Sequence, residues 1–126
     1  MRLLVMKEGY TYILSNKART VLYIGVTNDL IKRIYEHRFE KSSKFTTTFK
    51  CYYLMAFEYF ERIEDAITKE KQMKFWKRSW KMEWIYNQNP NFIDLYPLLM
   101  DESFNYKEPI SGKDLINILS KNLKLD

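Results

Sequence analysis

Apolar and polar positions change period several times along the chain. Tyr10 to Leu14 alternates and is rich in aromatic and branched side chains, as strands are. Val21 to Val26 repeats the pattern, and the polar stretch Ser15 to Thr20 between them is turn-like, so the pair reads as an antiparallel hairpin. A helix follows. Thr27 or Asn28 suits its N-cap, Asp29 its first turn, and Leu30, Ile31 and Ile34 form an apolar stripe. Phe39 to Lys50 is polar, basic and loop-like, and Tyr52 to Phe60 is a third strand. A second helix is expected over about Ile63 to Trp76, with the stripe Ile63, Ala66, Ile67, Met73. A third runs over about Ser79 to Gln88, with Trp80 and Trp84 on one side. It ends near Asn89, because Pro90 disfavours helical geometry in the residue before it.

Asn91 to Met100 reads as an irregular apolar wrap and Asp101 to Gly112 as a linker. Lys113 to Leu123 gives a last amphipathic helix with Leu115, Ile116, Leu119 and Leu123 on one face, and Ser111 and Asp114 have the spacing of a capping box. The order β-β-α-β-α-α plus a tail helix predicts a small α/β (α+β) domain, in which a three-stranded antiparallel sheet is flanked by helices. The boundaries are residues 8–96 for the domain, 97–112 for a linker or wrap, and 113–125 for the C-terminal helix.

Composition narrows the chemistry. The chain of 126 residues fits one domain, and 46% hydrophobic residues exclude a disordered polymer. Three glycines leave no room for a Gly-rich phosphate loop. Cys51 is the only cysteine and His37 the only histidine, so an internal disulfide, a CxxC metal pair and a histidine-clustered metal site are all excluded. The apolar run Leu3 to Met6 is far shorter than a signal-peptide core, and no stretch approaches the length of a membrane span. A cytoplasmic protein with no membrane association is expected. A net charge of +5 is compatible with a polyanionic partner without requiring one.

A few residues do not fit a packing role alone. The stripe Ile63, Ala66, Ile67 continues at helical period to Glu70. A carboxylate there either meets a cation, whether metal or basic side chain, or sits at the stripe edge and reaches solvent; the pattern leaves both open. Arg33 and His37 share one helix face, as phosphate contacts or as surface groups. Tyr10, Tyr12 and Tyr23 lie on the hairpin, where tyrosine is also simply a good strand residue. Gly25 interrupts a strand and marks a bulge or a close backbone approach. Lys69, Lys71, Lys74, Lys77, Arg78 and Lys81 interleave with Phe75, Trp76 and Trp80, which suits either nucleic acid or a solvated helix over an aromatic core.

Taken together, Tyr10-Thr11-Tyr12-Ile13-Leu14, Tyr23-Ile24-Gly25, Arg33, His37, Ala66-Ile67 with Glu70-Lys71-Gln72, and Asn89-Pro90 resemble the GIY-YIG nuclease superfamily. The likeness is to its small stand-alone bacterial members, related to the nuclease module of excision repair. The second half of the name motif is literal, whereas the first half keeps only its terminal tyrosine. The resemblance spans about residues 8 to 96. It implies a metal-dependent endonuclease that hydrolyses phosphodiester bonds in DNA, structure-selective and fit for repair or recombination. The implied catalytic set is Tyr12, Tyr23, Arg33, His37, Glu70 and Asn89, with Tyr12, Tyr23, Arg33 and Glu70 expected to converge on one concave surface. Glu70 would hold a single Mg²⁺ or Mn²⁺, Arg33 would clamp the phosphate, Tyr12 would be the base with Tyr23 orienting, and Asn89 would orient Glu70 or other active-site groups through hydrogen bonds. Lys44, Lys69, Lys74, Lys77, Arg78 and Lys81 would bind the nucleic acid. A monomer is expected, with a protein partner conceivable through the C-terminal helix. The competing readings are a catalytically silent nucleic-acid-binding module and an interaction subunit of the same fold.

Overall fold

A computed structural model describes residues 7–123; the run Leu3 to Met6 and the side chains of Leu119 and Leu123 lie outside the described parts. Three strands, β1 (Gly9–Ser15), β2 (Leu22–Thr27) and β3 (Tyr53–Phe60), form one antiparallel sheet in the order β2-β1-β3. All residues of the central β1 are buried, because both faces are covered and alternation sends successive side chains to opposite cores. Tyr10, Tyr12 and Leu14 pack with Leu30, Ile34, Leu54 and Phe57 on one face. Ile13 packs with Ile24, Ala56, Met73 and Ile85 on the other. An irregularity in β3 opposite Ile13 and Leu14 puts Met55 beside Ala56 in that second core. The bulge is thus in β3 and not at Gly25.

The first helix, α1 (Leu30–Tyr35), starts one residue later than the cap expected from sequence. Asp29 is the N-cap and accepts from the Lys32 backbone N–H at 3.2 Å. Thr27 shapes the preceding turn, its Oγ1 accepting from the Asp29 N–H at 3.1 Å. Helical winding continues through a π-helical turn, Glu36–Glu40. After Lys41 a second helix forms, α2 (Lys44–Phe49), capped by Ser43. The segment expected as loop is therefore largely helical. It escapes a periodicity reading because its residues are poor helix formers and its apolar stripe is inverted: Thr46 is buried while Phe45 and Phe49 are exposed.

Two helices cover the second face, α3 (Ile63–Lys74) and α4 (Arg78–Gln88). Thr11 Oγ1 ties α3 to β1 by donating to the Ala66 carbonyl at 2.7 Å. A short helix, α5 (Tyr96–Leu99), interrupts the apolar wrap. Arg38 joins the π-helical turn to this region, donating to Asp94 at 2.9 Å and to the Tyr52 carbonyl at 2.7 Å. Phe104, Tyr106 and Ile110, in the stretch read as a linker, pack against the core. The last helix, α6 (Gly112–Leu123), lies beside α5. Ser111 and Asp114 exchange the bonds of a capping box: the Ser111 N–H donates to Asp114 Oδ2 and the Asp114 N–H to Ser111 Oγ. Ile118 is its buried contact and Ile116 is exposed, which moves the inward face off Ile116; a residue two positions on from 116 lies on the other side of a helix. No described helix is long and apolar enough to cross a membrane.

Candidate active site

Tyr12 and Gly25 face each other across β1 and β2. A Cβ on Gly25 would overlap the Tyr12 ring at Cζ and the hydroxyl. Glycine is needed here for space, since its backbone angle is ordinary. The bare strand lets the Tyr12 ring lie across β2, and the ring is almost wholly buried.

The Tyr12 hydroxyl meets His37 Nε2 at 2.9 Å, and His37 Nδ1 meets Thr46 Oγ1 at 3.1 Å. Thr46 has one hydroxyl proton, which it donates to the Ser43 carbonyl at 3.2 Å. It therefore accepts from His37. The bonding pattern assigns the ring proton to Nδ1 and leaves Nε2 to accept from Tyr12. His37 is reached from α1 through the π-helical turn, where the buried positions Leu30 and Ile34 continue to it. This corrects its expected role as a phosphate contact or surface group: it is fully buried, with both nitrogens committed to protein partners.

Arg33 lies one turn before His37. Its Nη1 donates to Ser42 Oγ at 3.1 Å and stands 3.5 Å from Glu36 Oε1. The Tyr23 ring lies 6.4 Å from Tyr12 and 5.4 Å from His37. Burial, then Tyr23 and Glu70, push the Tyr12 phenol above its ordinary range, while the charge and hydrogen bonding of Arg33 oppose the rise. For Arg33, burial pulls down but Tyr12 and Glu36 outweigh it, and the guanidinium is held more firmly charged. Burial, then the charge of Arg33, lower His37 to about 4. The imidazole is therefore neutral at pH 7, with a lone pair on the Tyr12 hydroxyl.

Glu70 comes from α3, which packs on the opposite face of the sheet from the Tyr12 ring. Its carboxylate is still near enough to act on Tyr12. The side chain is only 13% exposed, and Oε1 pairs with Lys74 Nζ at 2.8 Å. Of the two alternatives for this stripe position, the structure gives a largely covered carboxylate with a cation beside it. Among the described residues no three His, Cys, Asp or Glu side chains group to hold a metal. The available donor is hard oxygen, one carboxylate, with both imidazole nitrogens already used. That set fits Mg²⁺ or Mn²⁺, ions that take most of their ligands from water and phosphate.

Asn89 stands apart from these groups. It ends α4, and its Nδ2 donates to the carbonyls of Met55 (2.9 Å) and Ile93 (2.8 Å), while Oδ1 accepts from the Ile93 N–H. The expected bond to Glu70 is not made, because the chain reversal at Pro90 takes up the amide. Tyr10 packs with Tyr59 and Tyr106. Lys69 and Lys77 lie over the Trp76 and Trp80 rings, at 5.2 and 5.7 Å, and Arg78 donates to the Arg19 carbonyl. Lys44 opens α2, Lys81 lies on α4, and Lys74 belongs to Glu70. Sequence reasoning passed over Thr46, Ser43 and Ser42. The available signal was Ser43, a good N-cap directly before a short helical run.

A model of the GIY-YIG catalytic domain matches residues 8–83 of the chain. No curated protein matches it. Among solved structures, the solution NMR structure of the UPF0213 protein BH0048 from Bacillus halodurans is similar, with 26% identity over 78% of this chain and 99% of that one, and a TM-score of 0.45.

Proposed function

The chain belongs to the family of GIY-YIG catalytic domains, and on that premise we propose that it is a metal-dependent endonuclease that hydrolyses phosphodiester bonds in DNA, selecting substrates by structure in repair or recombination. The observation that carries this reading is the hydrogen-bonded chain Tyr12–His37–Thr46–Ser43 beside Arg33. A tyrosine needs a route for its proton before it can act as a base at neutral pH, because its free pKa is near 10. Here the acceptor is preset. As water attacks phosphorus, its proton goes to the Tyr12 oxygen and the Tyr12 proton goes to His37 Nε2. The bond from phosphorus to the leaving oxygen breaks, and that oxygen is protonated from solvent. His37, whose buried imidazolium is disfavoured, returns its proton to the Tyr12 oxygen, which loses one to solvent.

Arg33 is half-buried and free to exchange its Ser42 bond for phosphate oxygens, which its planar fork fits. Burial is the larger cause of the low His37 pKa and the Arg33 charge the smaller. Phosphate bound to Arg33 offsets that charge, so substrate itself makes His37 a better acceptor. Glu70 would hold the divalent ion, which when bound supplies positive charge to the phosphate and the leaving oxygen. Lys74 must first release the carboxylate, and being half-exposed it can swing away. The test is incubation of purified protein with labelled nicked, branched, single-stranded and duplex DNA, with Mg²⁺ or Mn²⁺ and with chelator. Metal-dependent cleavage supports the reading, and inertness towards the whole panel overturns it.

A further inference from the structure

We propose that the exposed rings of Phe45 and Phe49, with the cleft beyond them, bind an unpaired nucleotide adjacent to the cleaved phosphate. This rests on the nuclease reading and narrows its substrate class.

Short helix α2 buries Thr46 and turns Phe45 and Phe49, four residues apart, outward at 42% and 46% exposure. Helices on a protein surface ordinarily do the reverse. Thr46 must point inward because it holds His37, but that does not require phenylalanine on the outside. The rings are also ordered in series. Phe45 lies 5.7 Å from the Tyr23 ring, and Phe49 lies 4.6 Å from Phe45. Aromatic surface therefore runs without a break from the catalytic tyrosines to solvent.

Past Phe49 opens a cleft of about 370 Å³ lined by Lys17, Phe49, Lys50, Tyr52 and Tyr53. Lysine at its rim and rings in its wall are the two parts of a single-strand site, charge for the backbone and π-faces for bases. Lys44 and Lys50 bracket α2 and add to the same positive edge. An acidic or apolar peptide would not need both parts, and a paired base has no face to offer. Asn16 also borders the cleft, yet its amide is spent on Thr20 and Val21. Recognition there is by stacking and charge, so it tolerates any base. The substrates implied carry unpaired nucleotides beside the scissile bond, as flaps, bubbles and frayed ends do, without a sequence requirement.

The experiment uses DNA with 2-aminopurine placed either in a duplex or in a three-nucleotide flap, and the variants Phe45→Leu/Phe49→Leu and Phe49→Trp. Binding is read without metal from 2-aminopurine fluorescence, cleavage with Mg²⁺ from labelled ends, and folding from thermal melting. Wild type should quench the flap probe and favour flap over duplex. The double leucine variant should fold, lose the quenching, and lose on the order of tenfold of the flap preference, the size of one stacked base; Phe49→Trp should retain both. Unchanged quenching and preference in the leucine variant overturn the proposal while leaving the nuclease reading intact. A change only in oligomeric state on leucine substitution overturns it too, and marks the rings as a self-association surface. Quenching lost in the variant, with no cleavage by wild type under any metal, supports the nucleotide site and sinks the nuclease reading.

Discussion

His37 is buried with both nitrogens bonded, and that arrangement has a cost that depends on pH. Its folded pKa is about 4 against an ordinary 6.5, so between these values the unfolded chain binds a proton that the folded one does not. Stability from this group is complete above pH 6.5 and is lost as pH falls towards 4, by up to about 3 kcal/mol. Chemical denaturation of wild type at pH 7 and pH 4.5 should show that loss, and His37→Gln should flatten it. Thr46→Val should leave His37 without its acceptor and change the pH dependence of cleavage, whereas Thr46→Ser should restore it. Glu70 gives the sharper test at this scale. Glu70→Gln keeps the shape, and its Lys74 partner is 55% exposed. Removing the ion pair should therefore cost no more than about 0.5 kcal/mol. Cleavage should fall by about a hundredfold or more, since metal charge on the transition state is worth several kcal/mol, while DNA binding survives. A variant that melts early and loses binding and cleavage together would show Glu70 to be a structural ion-pair partner. Glu70 stood out in the sequence because a charge broke an apolar stripe. Thr46 did not, because its importance lies in a partner nine residues away that no local pattern reveals.

The strands were legible through their aromatic and branched side chains and the polar turn between the first two, not through a polar face, since β1 is covered on both sides and buried throughout. Helix α2 was not, because its periodicity answers to His37 on the inside and to exposed rings on the outside. Helix α6 was legible as an element but not in its inward face, since a short amphipathic pattern leaves the docking side to its neighbours. Gly25 was legible as an anomaly, although its reason lay across the strand pair in Tyr12. That reason is testable. In Gly25→Ala the added methyl must displace the Tyr12 ring, and overpacking of this kind costs about 1–3 kcal/mol. The displacement also breaks the Tyr12–His37 bond. Cleavage should drop by at least tenfold beyond what the lower melting temperature explains, measured well below the midpoint. A variant that is destabilised but fully active would mean that Tyr12 need not touch His37.

The whole molecule carries a net charge of +5, and what matters for a polyanion is where the charge sits. One group of basic residues, Lys17, Lys44 and Lys50, lies around α2 and the cleft next to it. A second, Lys69, Lys77 and Arg78, lies at the junction of α3 and α4 among the tryptophans. The candidate site residues come from elements on both faces of the sheet, Tyr12 with Arg33 and His37 from one and Glu70 of α3 from the other. DNA seated at such a site would extend towards both groups. Neutralising one phosphate-binding lysine should lower the slope of log affinity against log salt by about 0.9 in duplex. Lys44→Gln/Lys50→Gln and Lys69→Gln/Lys77→Gln should therefore each lower the slope by roughly two, and the combined variant by the sum, as independent distant sites do. Lys74→Gln should behave differently, because Lys74 neutralises Glu70 and would be displaced by a divalent ion held there. Its removal should leave the salt slope nearly unchanged and lower the metal concentration needed for half-maximal cleavage. If only one group alters the slope, the DNA lies on one side of the sheet. Glu70 would then be reaching the phosphate from a face the DNA does not touch.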